Sequence, residues 1–261
     1  MNLTDNLRVT LGQVNLEWEN PAMNRQNLEN LILPLMGMSD LIILPETFTT
    51  GFSGRIKDLS ESMDGPTILW MVKLAEETNI ALCGSIFIKE DNQYFNRLVF
   101  IYPTGEITFY NKRHLFSIGD ESELLTSGDR RVIVNYLGWR IALYICYDLR
   151  FPVWCRNSGD TDLMIFSANW PEVRRNVWST LLNARAIENQ VFVAGANRTG
   201  TDGQGIFYNG NSQIINARGE VKAQSVRSAN GLLTYSISKQ ELNDFREKFP
   251  VSRDADHFII T

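Results

Sequence analysis

The sequence predicts an α/β protein in which a mixed, two-sheet sandwich is covered by helices. Apolar, β-prone segments alternate with segments of helical periodicity along the chain. Several neighbouring strands are separated only by short turns, as in hairpins, which a purely parallel sheet would not need. With 261 residues, of which 44% are hydrophobic, the chain is long enough for one large domain with a sizeable core.

The first half of the chain contains five predicted strands and two predicted helices. Asn20 followed by Pro21 is typical of a helix start, and Pro34 should kink or end that helix. A second helix should begin at Gly65–Pro66 and run to about Thr78. The predicted strands, the last two joined by a turn at 103–105, span residues 7–14, 41–45, 80–88, 94–102 and 106–110.

The second half of the chain continues this alternation. A long amphipathic helix is predicted over 172–189 and a last helix over 239–248. The predicted strands are 139–145, 163–167, 191–196, 213–216, the segment from 221 onward and 232–237, with a hairpin turn at 217–219. We expect a single domain over 1–261, with its core at about 7–238 and a C-terminal helix and tail over 239–261.

Charge and cysteine usage exclude several classes of protein. The net charge of −5 provides no basic face, so a nucleic-acid partner is not expected. Three cysteines without metal-type spacing favour free thiols in a reducing cytoplasm. The two histidines, His114 and His257, are too scattered for a metal site. Neither a membrane span nor a secretory signal is expected from the pattern of apolar residues.

The segment from Trp139 to Pro152 carries the most informative chemistry. It begins as an apolar run, stops at Cys146, turns polar and reaches Pro152, a favourable first residue of a helix. This pattern predicts a strand, a sharp turn and a helix, with the thiol at the carboxyl end of the strand, where open α/β sheets bind ligands. A thiol at a helix N-terminus has a lowered pKa and can act as a nucleophile. The structural alternative for Cys146 is a small buried core residue.

Three polar residues, Glu46, Lys112 and Cys146, stand at equivalent places, each at the end of an apolar strand. Together they suit acyl transfer, because the thiol can attack a carbonyl or nitrile carbon, the carboxylate can move protons and the ammonium can stabilise an oxyanion. Taken singly, Glu46 and Lys112 are more simply explained as solvated surface charges. Their coincidence at strand ends favours a catalytic site.

Three short segments make the sequence recognisable. Leu44–Glu46, Tyr110–Phe116 and Ile145–Pro152 resemble, in order and spacing, the three signatures of the nitrilase superfamily of carbon-nitrogen hydrolases. Asn183–Asn189 and Asn216–Glu220 are two further family-like segments. Within the superfamily the chain is most similar to the bacterial ω-amidases. That closer resemblance is carried by residues 112–116, 168–171, 196–198, 246–250 and 254–256.

This resemblance implies a fold and a set of catalytic residues. The fold it implies is a four-layer α-β-β-α sandwich that pairs into a homodimer. The implied triad consists of Cys146 as nucleophile, Glu46 as general base and acid, and Lys112. Glu121 lies where related amidases carry a second active-site glutamate, expected to position Lys112 and the substrate amide. Glu123 is too near in sequence to be excluded from that role, and Glu121 could instead be a solvated acid.

The implied reaction is amide hydrolysis through a thioester on Cys146, with water as the second reactant and no metal or organic cofactor. The backbone N–H of Tyr147 is an expected further donor to the oxyanion. The resemblance implies small dicarboxylate monoamides, such as 2-oxoglutaramate, as substrates. Phe116, Asn169 and Trp170 are expected to line the pocket, although Trp170 could instead belong to the core.

A substrate of this kind needs a cation for its second carboxylate, and a guanidinium group suits bidentate carboxylate binding. The candidates are Arg150, Arg174, Arg175 and Arg198. For Arg150 we favour an alternative role, an ion pair with Asp148 or another acid that braces the turn.

The same residues allow alternative functions. A nitrilase or an N-carbamoyl amide hydrolase would use the same triad, and a non-catalytic relative would bind a metabolite or partner on the same scaffold. The absence of a Gly-x-Ser-x-Gly motif disfavours a serine hydrolase. The glycines of 200–205 lack the lysine of a phosphate-binding loop, which disfavours a nucleotide site. Cys83 is expected in the core, and Cys155 is expected to be buried on the helix that follows Cys146.

Overall fold

The strands of this protein form two six-stranded sheets and one small two-stranded sheet. The structure is a computed structural model that describes residues 5–118 and 121–256, so His257 and the rest of the predicted tail lie outside the described residues. In chain order the strands are β1 (Asn6–Gln13), β2 (Leu41–Ile43), β3 (Ala81–Glu90), β4 (Gln93–Ile101), β5 (Ile107–Asn111), β6 (Ile133–Tyr136), β7 (Trp139–Ile145), β8 (Leu163–Ala168), β9 (Phe192–Asn197), β10 (Thr199–Thr201), β11 (Phe207–Asn209), β12 (Gln213–Ile215), β13 (Val221–Gln224) and β14 (Gly231–Ser238).

The two large sheets have closely related topologies. The first has the order β14-β1-β2-β3-β4-β5, and the second has the order β13-β12-β9-β8-β7-β6. Each contains three adjacent parallel strands, β1-β2-β3 in one and β7-β8-β9 in the other, flanked by antiparallel strands. The prediction of mixed sheets containing hairpins is therefore confirmed, with β3, β4 and β5 joined by tight turns and β12 joined to β13.

The described residues form six α-helices, two of which begin at a capping side chain. They are α1 (Pro21–Ile32), α2 (Ile56–Leu59), α3 (Pro66–Thr78), α4 (Glu121–Leu124), α5 (Arg175–Asn189) and α6 (Lys239–Lys248). Asn20 caps α1 by accepting a hydrogen bond from the backbone N–H of Met23, and Ser238 caps α6 in the same way. None of these helices, in the part of the chain that the structure describes, is long and apolar enough to cross a membrane.

The elements stack in four layers, which confirms the α-β-β-α sandwich. Side chains of both large sheets, such as Leu11 of β1 and Tyr144 of β7, meet in one buried cluster between the sheets. A second cluster packs α1 and α3 on the outer face of the first sheet. On the outer face of the second sheet α5 packs so closely that a Cβ atom at Gly195 would lie 2.7 Å from Leu182.

Three features differ from the sequence-based predictions. No helix begins at Pro152; a 3-10 helix over Cys146–Arg150 is followed by turns, so Cys155 lies in a turn. A longer helix is stopped just beyond these turns, because the side chain of Asn157 accepts hydrogen bonds from three following backbone N–H groups and holds the chain in a turn. Strand β6 and the hairpin β10–β11 were not predicted, and α4 forms inside the predicted loop 117–128.

Candidate active site

The ends of three strands bring a carboxylate, an ammonium and a thiol to one cleft between the large sheets. Glu46 follows β2, Lys112 directly follows β5, and Cys146 directly follows β7. The sheets are tied together at this end, since the hydroxyl of Ser167 donates to the carbonyl of Leu44 at 2.8 Å. The facing carboxyl ends of β2 and β7 thus place groups far apart in sequence on one cavity wall.

Lys112 lies between two buried carboxylates. Its Nζ donates to Oε1 of Glu46 at 2.8 Å, and to Oε1 and Oε2 of Glu121 at 2.9 and 2.8 Å. All three side chains are about 1% exposed or less. Glu123 is exposed and takes no part in this cluster. The structure therefore distinguishes the two acids that the sequence left open, and Glu121 is the one beside the ammonium.

A fourth member of this cluster, Asn96, was missed by sequence analysis. Its Nδ2 donates to Oε1 of Glu46 at 2.8 Å and to Oε1 of Glu121 at 3.1 Å. Its backbone carbonyl accepts from the backbone N–H of Lys112 at 2.9 Å. The available signal was an asparagine in the middle of an apolar strand, where that residue type is depleted.

The backbone at the thiol is strained. Cys146 has a φ of 39°, in the left-handed region that non-glycine residues rarely adopt. The side chain is half-buried and lines the cavity, and its Sγ lies 3.9 Å from the backbone carbonyl of Asn169. Thr47, next to Glu46, is also strained, with a φ of 42°. Backbone strain of this kind is characteristic of functional sites, because the surrounding structure must hold it in place.

Asn169 connects the carboxylate of one sheet with the end of a strand of the other. Its backbone N–H donates to Oε2 of Glu46 at 3.0 Å, and its Nδ2 donates to the carbonyl of Glu46 at 2.8 Å and to the hydroxyl of Thr47 at 2.9 Å. The carboxylate of Glu46 therefore has a donor on each oxygen and is fixed in orientation.

Burial and mutual charge shift the pKa of each reacting group. Burial raises the pKa of Glu46 above its ordinary value, and the ammonium of Lys112 opposes this rise. Burial alone would lower the pKa of Lys112, but the carboxylates of Glu121 and Glu46 outweigh it, so the pKa is raised. Burial raises the pKa of the Cys146 thiol well above its usual value, and the Glu46 carboxylate adds to that effect.

The expectation of a lowered thiol pKa is therefore wrong. It rested on a helix N-terminus, but the helix at Cys146 is a short 3-10 segment, and a carboxylate faces the sulfur. The raised pKa favours a neutral thiol in the resting site, where the carboxylate of Glu46 and the ammonium of Lys112 lie beside it. Such an arrangement suits a base-assisted nucleophile better than a preformed thiolate.

A buried carboxylate braces the turn that carries the nucleophile. Asp148 accepts from the hydroxyl of Tyr110 at 2.8 Å, from the backbone N–H of Ile145 at 3.0 Å, and from both the backbone N–H and Nδ1 of His114 at 3.0 and 2.8 Å. The expected ion pair of Arg150 with Asp148 is therefore wrong, since these groups occupy the carboxylate, and among residues 5–118 and 121–256 Arg150 pairs with no other acid.

The thiol, Glu46 and Lys112 open onto a cavity of about 260 Å³. The other wall residues that the sequence predicted are Phe116, Tyr147, Arg150, Asn169, Trp170 and Arg174. Trp170 belongs to the wall and to the buried core at once. The wall residues that the sequence did not suggest include Phe52, Ile118 and Tyr208.

Of the four candidate arginines, two reach the cavity. The guanidinium carbon of Arg150 lies 5.2 Å from the ring centre of Trp170, and that of Arg174 lies 5.8 Å from the ring centre of Phe116. Neither forms an ion pair within residues 5–118 and 121–256. Arg175 instead pairs with Glu172 at 3.3 Å. Arg198 is buried under the ring of Tyr208 and is not on the cavity wall.

Within the described ranges, no three histidine, cysteine or acidic side chains are grouped so as to hold a metal ion. The chemistry that this cavity can perform with its own side chains is attack by a thiol on an electrophilic carbon. A carboxylate is placed to accept the proton, and an ammonium is placed to stabilise negative charge.

The sequence matches a known family over most of its length. A family model described as carbon-nitrogen hydrolase matches residues 8–247. The chain is 41% identical over 252 residues to the ω-amidase YafV of Escherichia coli strain K12, covering 97% of this chain and 98% of that protein. It is 32% identical over 247 residues to the 2-oxoglutaramate amidase of Bacillus subtilis strain 168, covering 93% and 95% of the two chains.

A solved structure shares both the fold and much of the sequence. It is a carbon-nitrogen hydrolase superfamily protein from Xanthomonas campestris, described with an arsenic adduct in its active site. It superposes with a TM-score of 0.97 at 42% sequence identity, and the match covers 99% of this chain and 100% of that one.

Proposed function

The chain belongs to the carbon-nitrogen hydrolase family, and we propose that it is an ω-amidase that hydrolyses the terminal amide of small dicarboxylate monoamides, such as 2-oxoglutaramate. The observation that carries this proposal is one cavity whose wall holds the thiol, base and ammonium together with two guanidinium groups that have no acidic partner in the described part of the chain. The amidases of Escherichia coli and Bacillus subtilis support the same substrate class.

In the first half of the reaction the sulfur of Cys146 attacks the amide carbon. Glu46 takes the thiol proton as the S–C bond forms, because its raised pKa makes it a stronger base than an exposed glutamate. The Lys112 ammonium and the backbone N–H of Tyr147 stabilise the oxyanion. Glu46 then returns the proton to the leaving nitrogen, ammonia departs and a thioester remains on Cys146.

In the second half of the reaction water replaces ammonia. Glu46 removes a proton from a water molecule, which attacks the thioester carbon, and the tetrahedral intermediate again places its charge near Lys112. Collapse of the intermediate releases the acid, and the sulfur regains its proton from Glu46. Glu121 keeps Lys112 pointing at the reacting carbon through two hydrogen bonds of 2.8–2.9 Å.

The distal carboxylate of the substrate binds to Arg150 and Arg174. Both guanidinium groups lie on the cavity wall, Arg150 beside the ring of Trp170 and Arg174 beside the ring of Phe116. A carboxylate entering the cavity supplies the charged acceptor that these donors lack. This pairing explains why a monoamide that carries a second acid group would be preferred over a neutral amide.

We further propose that the protein acts as a homodimer in the cytoplasm. Family membership supports pairing of the sandwiches, and three free cysteines suit a reducing compartment. Sedimentation equilibrium of the purified protein would give about twice the chain mass if the dimer forms, and the chain mass if it does not.

A substrate panel tests the proposed function. Ammonia release should be fastest from 2-oxoglutaramate and slow or undetectable from a nitrile and an N-carbamoyl amine; a preference for either of the latter two would identify a nitrilase or a carbamoyl hydrolase instead. Cys146→Ala should abolish turnover and leave the fold intact. Cys83→Ala is the matched control, since Cys83 is fully buried in β3, and this variant should stay active.

A further inference from the structure

We propose that Asn96 is a positioning residue of this site. Its side-chain amide donates hydrogen bonds to the carboxylates of both Glu46 and Glu121 and holds these carboxylates in fixed positions beside Lys112. The inference rests on the proposed function, because it concerns the base of that reaction. Asn96 is fully buried and is not on the cavity wall, so it acts through its neighbours and does not touch the substrate.

The four groups form a closed arrangement of two donors and two acceptors. Oε1 of Glu46 accepts from both Nδ2 of Asn96 and Nζ of Lys112, each at 2.8 Å. Oε1 of Glu121 accepts from the same two nitrogens at 3.1 and 2.9 Å. Fixing Oε1 of Glu46 from two sides leaves Oε2 directed away from the cluster, toward Asn169 and the cavity.

The charge of the cluster explains why this second donor is an amide. Two carboxylates and one ammonium carry a net charge of −1, which leaves Glu46 basic enough to accept the thiol proton. A second cation at position 96 would weaken that base, and an acid would add repulsion. An asparagine donates two hydrogen bonds without adding charge, so it stabilises the ionised carboxylates and leaves the net charge of the cluster at −1.

The unpaired half of the Asn96 side chain supports this assignment. Its Oδ1 is buried and has no hydrogen-bond partner among residues 5–118 and 121–256, which is costly inside a protein. Carboxylates only accept, so the amide nitrogen must be the atom that faces Glu46 and Glu121. The side chain of Asn96 is thus oriented so that its N–H groups lie between the two acids, although this orientation leaves its Oδ1 without a hydrogen bond from the described residues.

The charged and titratable groups that face Glu46 are Lys112, Glu121 and Cys146, and Tyr208 lies on the same cavity wall and interacts electrostatically with Cys146. Removing the Asn96 donor takes away a hydrogen bond that favours the ionised form of Glu46, so the pKa of Glu46 should rise. The base must be ionised in the free enzyme, so activity falls as pH drops through that pKa. A higher pKa therefore moves the acid limb of the pH profile of kcat/KM to higher pH.

Two variants test the proposal. Asn96→Asp keeps the shape and adds a carboxylate, whereas Asn96→Leu keeps the approximate volume and removes the donor. Each should lower kcat about 10- to 100-fold with little change in KM, and should move the acid limb up by about one pH unit or more. Asn96→Asp should shift it further, because it also adds like charge. Far-UV circular dichroism checks that each variant is folded, and one folded variant is sufficient.

Asn111→Asp is the matched control, because it adds the same charge on the neighbouring strand, where the side chain accepts from Nε of Arg97 at 2.7 Å. It should keep the acid limb of the wild type. If Asn96→Asp and Asn96→Leu also keep that limb, Asn96 is a packing residue and the proposal is overturned.

A failure of the proposed function would look different, because the wild type itself would release no ammonia from any amide. The pH dependence of Cys146 alkylation by iodoacetamide would then provide the readout, since Cys83 and Cys155 are fully buried. Asn96→Asp should move that profile to higher pH because of its added negative charge, and an unchanged profile would overturn the proposal.

Discussion

At the nucleophile, the surrounding charge determines when the thiol can lose its proton. Glu46 and Glu121 already outnumber Lys112 among the buried charges, so a thiolate formed in the resting site would add a second uncompensated negative charge. Transfer of the proton to Glu46 during attack avoids this accumulation. We infer that the sulfur becomes a nucleophile only with its base in place, which makes the geometry of Glu46 as important as that of Cys146.

The two cavity arginines give a prediction about substrate binding. Arg174→Gln and Arg150→Gln should each raise KM for a dicarboxylate monoamide about 10-fold or more, because each removes a charge-assisted hydrogen bond to the distal carboxylate. The kcat should change little, since that carboxylate keeps its charge throughout the reaction. Steady-state kinetics on 2-oxoglutaramate and on a neutral amide of similar length measure the effect.

Arg175→Gln is the control for this prediction, because its guanidinium pairs with Glu172 outside the cavity. It should leave KM unchanged for both substrates. If Arg150→Gln and Arg174→Gln raise KM equally for the neutral amide and for the dicarboxylate monoamide, the assignment is contradicted, since the two arginines would then not bind the second carboxylate.

Sequence analysis identified the site residues that can be recognised from their sequence neighbours, but it missed Asn96, which can be recognised only from its three-dimensional surroundings. Glu46, Lys112 and Cys146 each end an apolar strand, so their position can be read from the residues beside them. Asn96 lies inside strand β4, and its role appears only when β4 is placed beside Lys112 and near the start of α4, which carries Glu121. The pKa of the thiol was misjudged for a related reason, because it is raised by burial and by the carboxylate of Glu46, and both depend on segments distant in the sequence.

At the scale of elements, strand β5 and the turn at Cys146 are fixed to each other. Asp148 in the turn accepts hydrogen bonds from Tyr110 of β5 and from His114, two residues after Lys112. The ammonium and the thiol are therefore held at a set separation by one buried carboxylate. Sequence analysis paired this carboxylate with the nearby Arg150, because separation along the chain is the only distance that a sequence offers.

A second buried acid anchors the C-terminal helix α6. Asp162 accepts from Nη2 of Arg140 at 2.7 Å and from Nη1 of Arg246 at 2.9 Å, and it also pairs with Lys239. Burial alone would raise the pKa of Asp162, but hydrogen bonds from Arg140 and Lys239 hold this pKa well below its usual range. An aspartate with a lowered folded-state pKa stabilises the fold above its unfolded pKa, and this stabilisation is lost as pH falls toward the folded value.

Asp162→Asn should therefore lower the free energy of unfolding by about 3 kcal/mol at pH 7, because it removes a fully buried carboxylate on which three partly buried cations converge. The difference from the wild type should shrink below about pH 4, where the unfolded aspartate becomes protonated. Urea unfolding at a series of pH values measures it. Asp160→Asn, which removes an exposed partner of Arg131, should cost less than about 1 kcal/mol. A pH-independent loss in Asp162→Asn would contradict the electrostatic explanation.

At the scale of the whole molecule, the reacting groups are divided between the two sheets. Glu46 and Lys112 extend from strands of the first sheet, and Cys146 extends from the second. The site therefore exists only while the sheets face each other. The mixed two-sheet sandwich was predictable from the hairpin spacing and the alternation of strands and helices, whereas the side chains that meet across the two sheets were not, since apolar runs alone do not say which residues face each other.

The first sheet contains strands from both ends of the chain, since β14 pairs with β1 over eight residues. The chain therefore cannot be cut into an N-terminal and a C-terminal domain without breaking that sheet, and the buried cluster between the sheets contains residues from both halves. We predict that residues 1–261 unfold in a single cooperative transition. Far-UV circular dichroism, tryptophan fluorescence and amidase activity should be lost with the same midpoint in urea. Loss of activity and fluorescence at a lower urea concentration, with one sheet still folded, would contradict the prediction and show that each sheet is stable with its own helices.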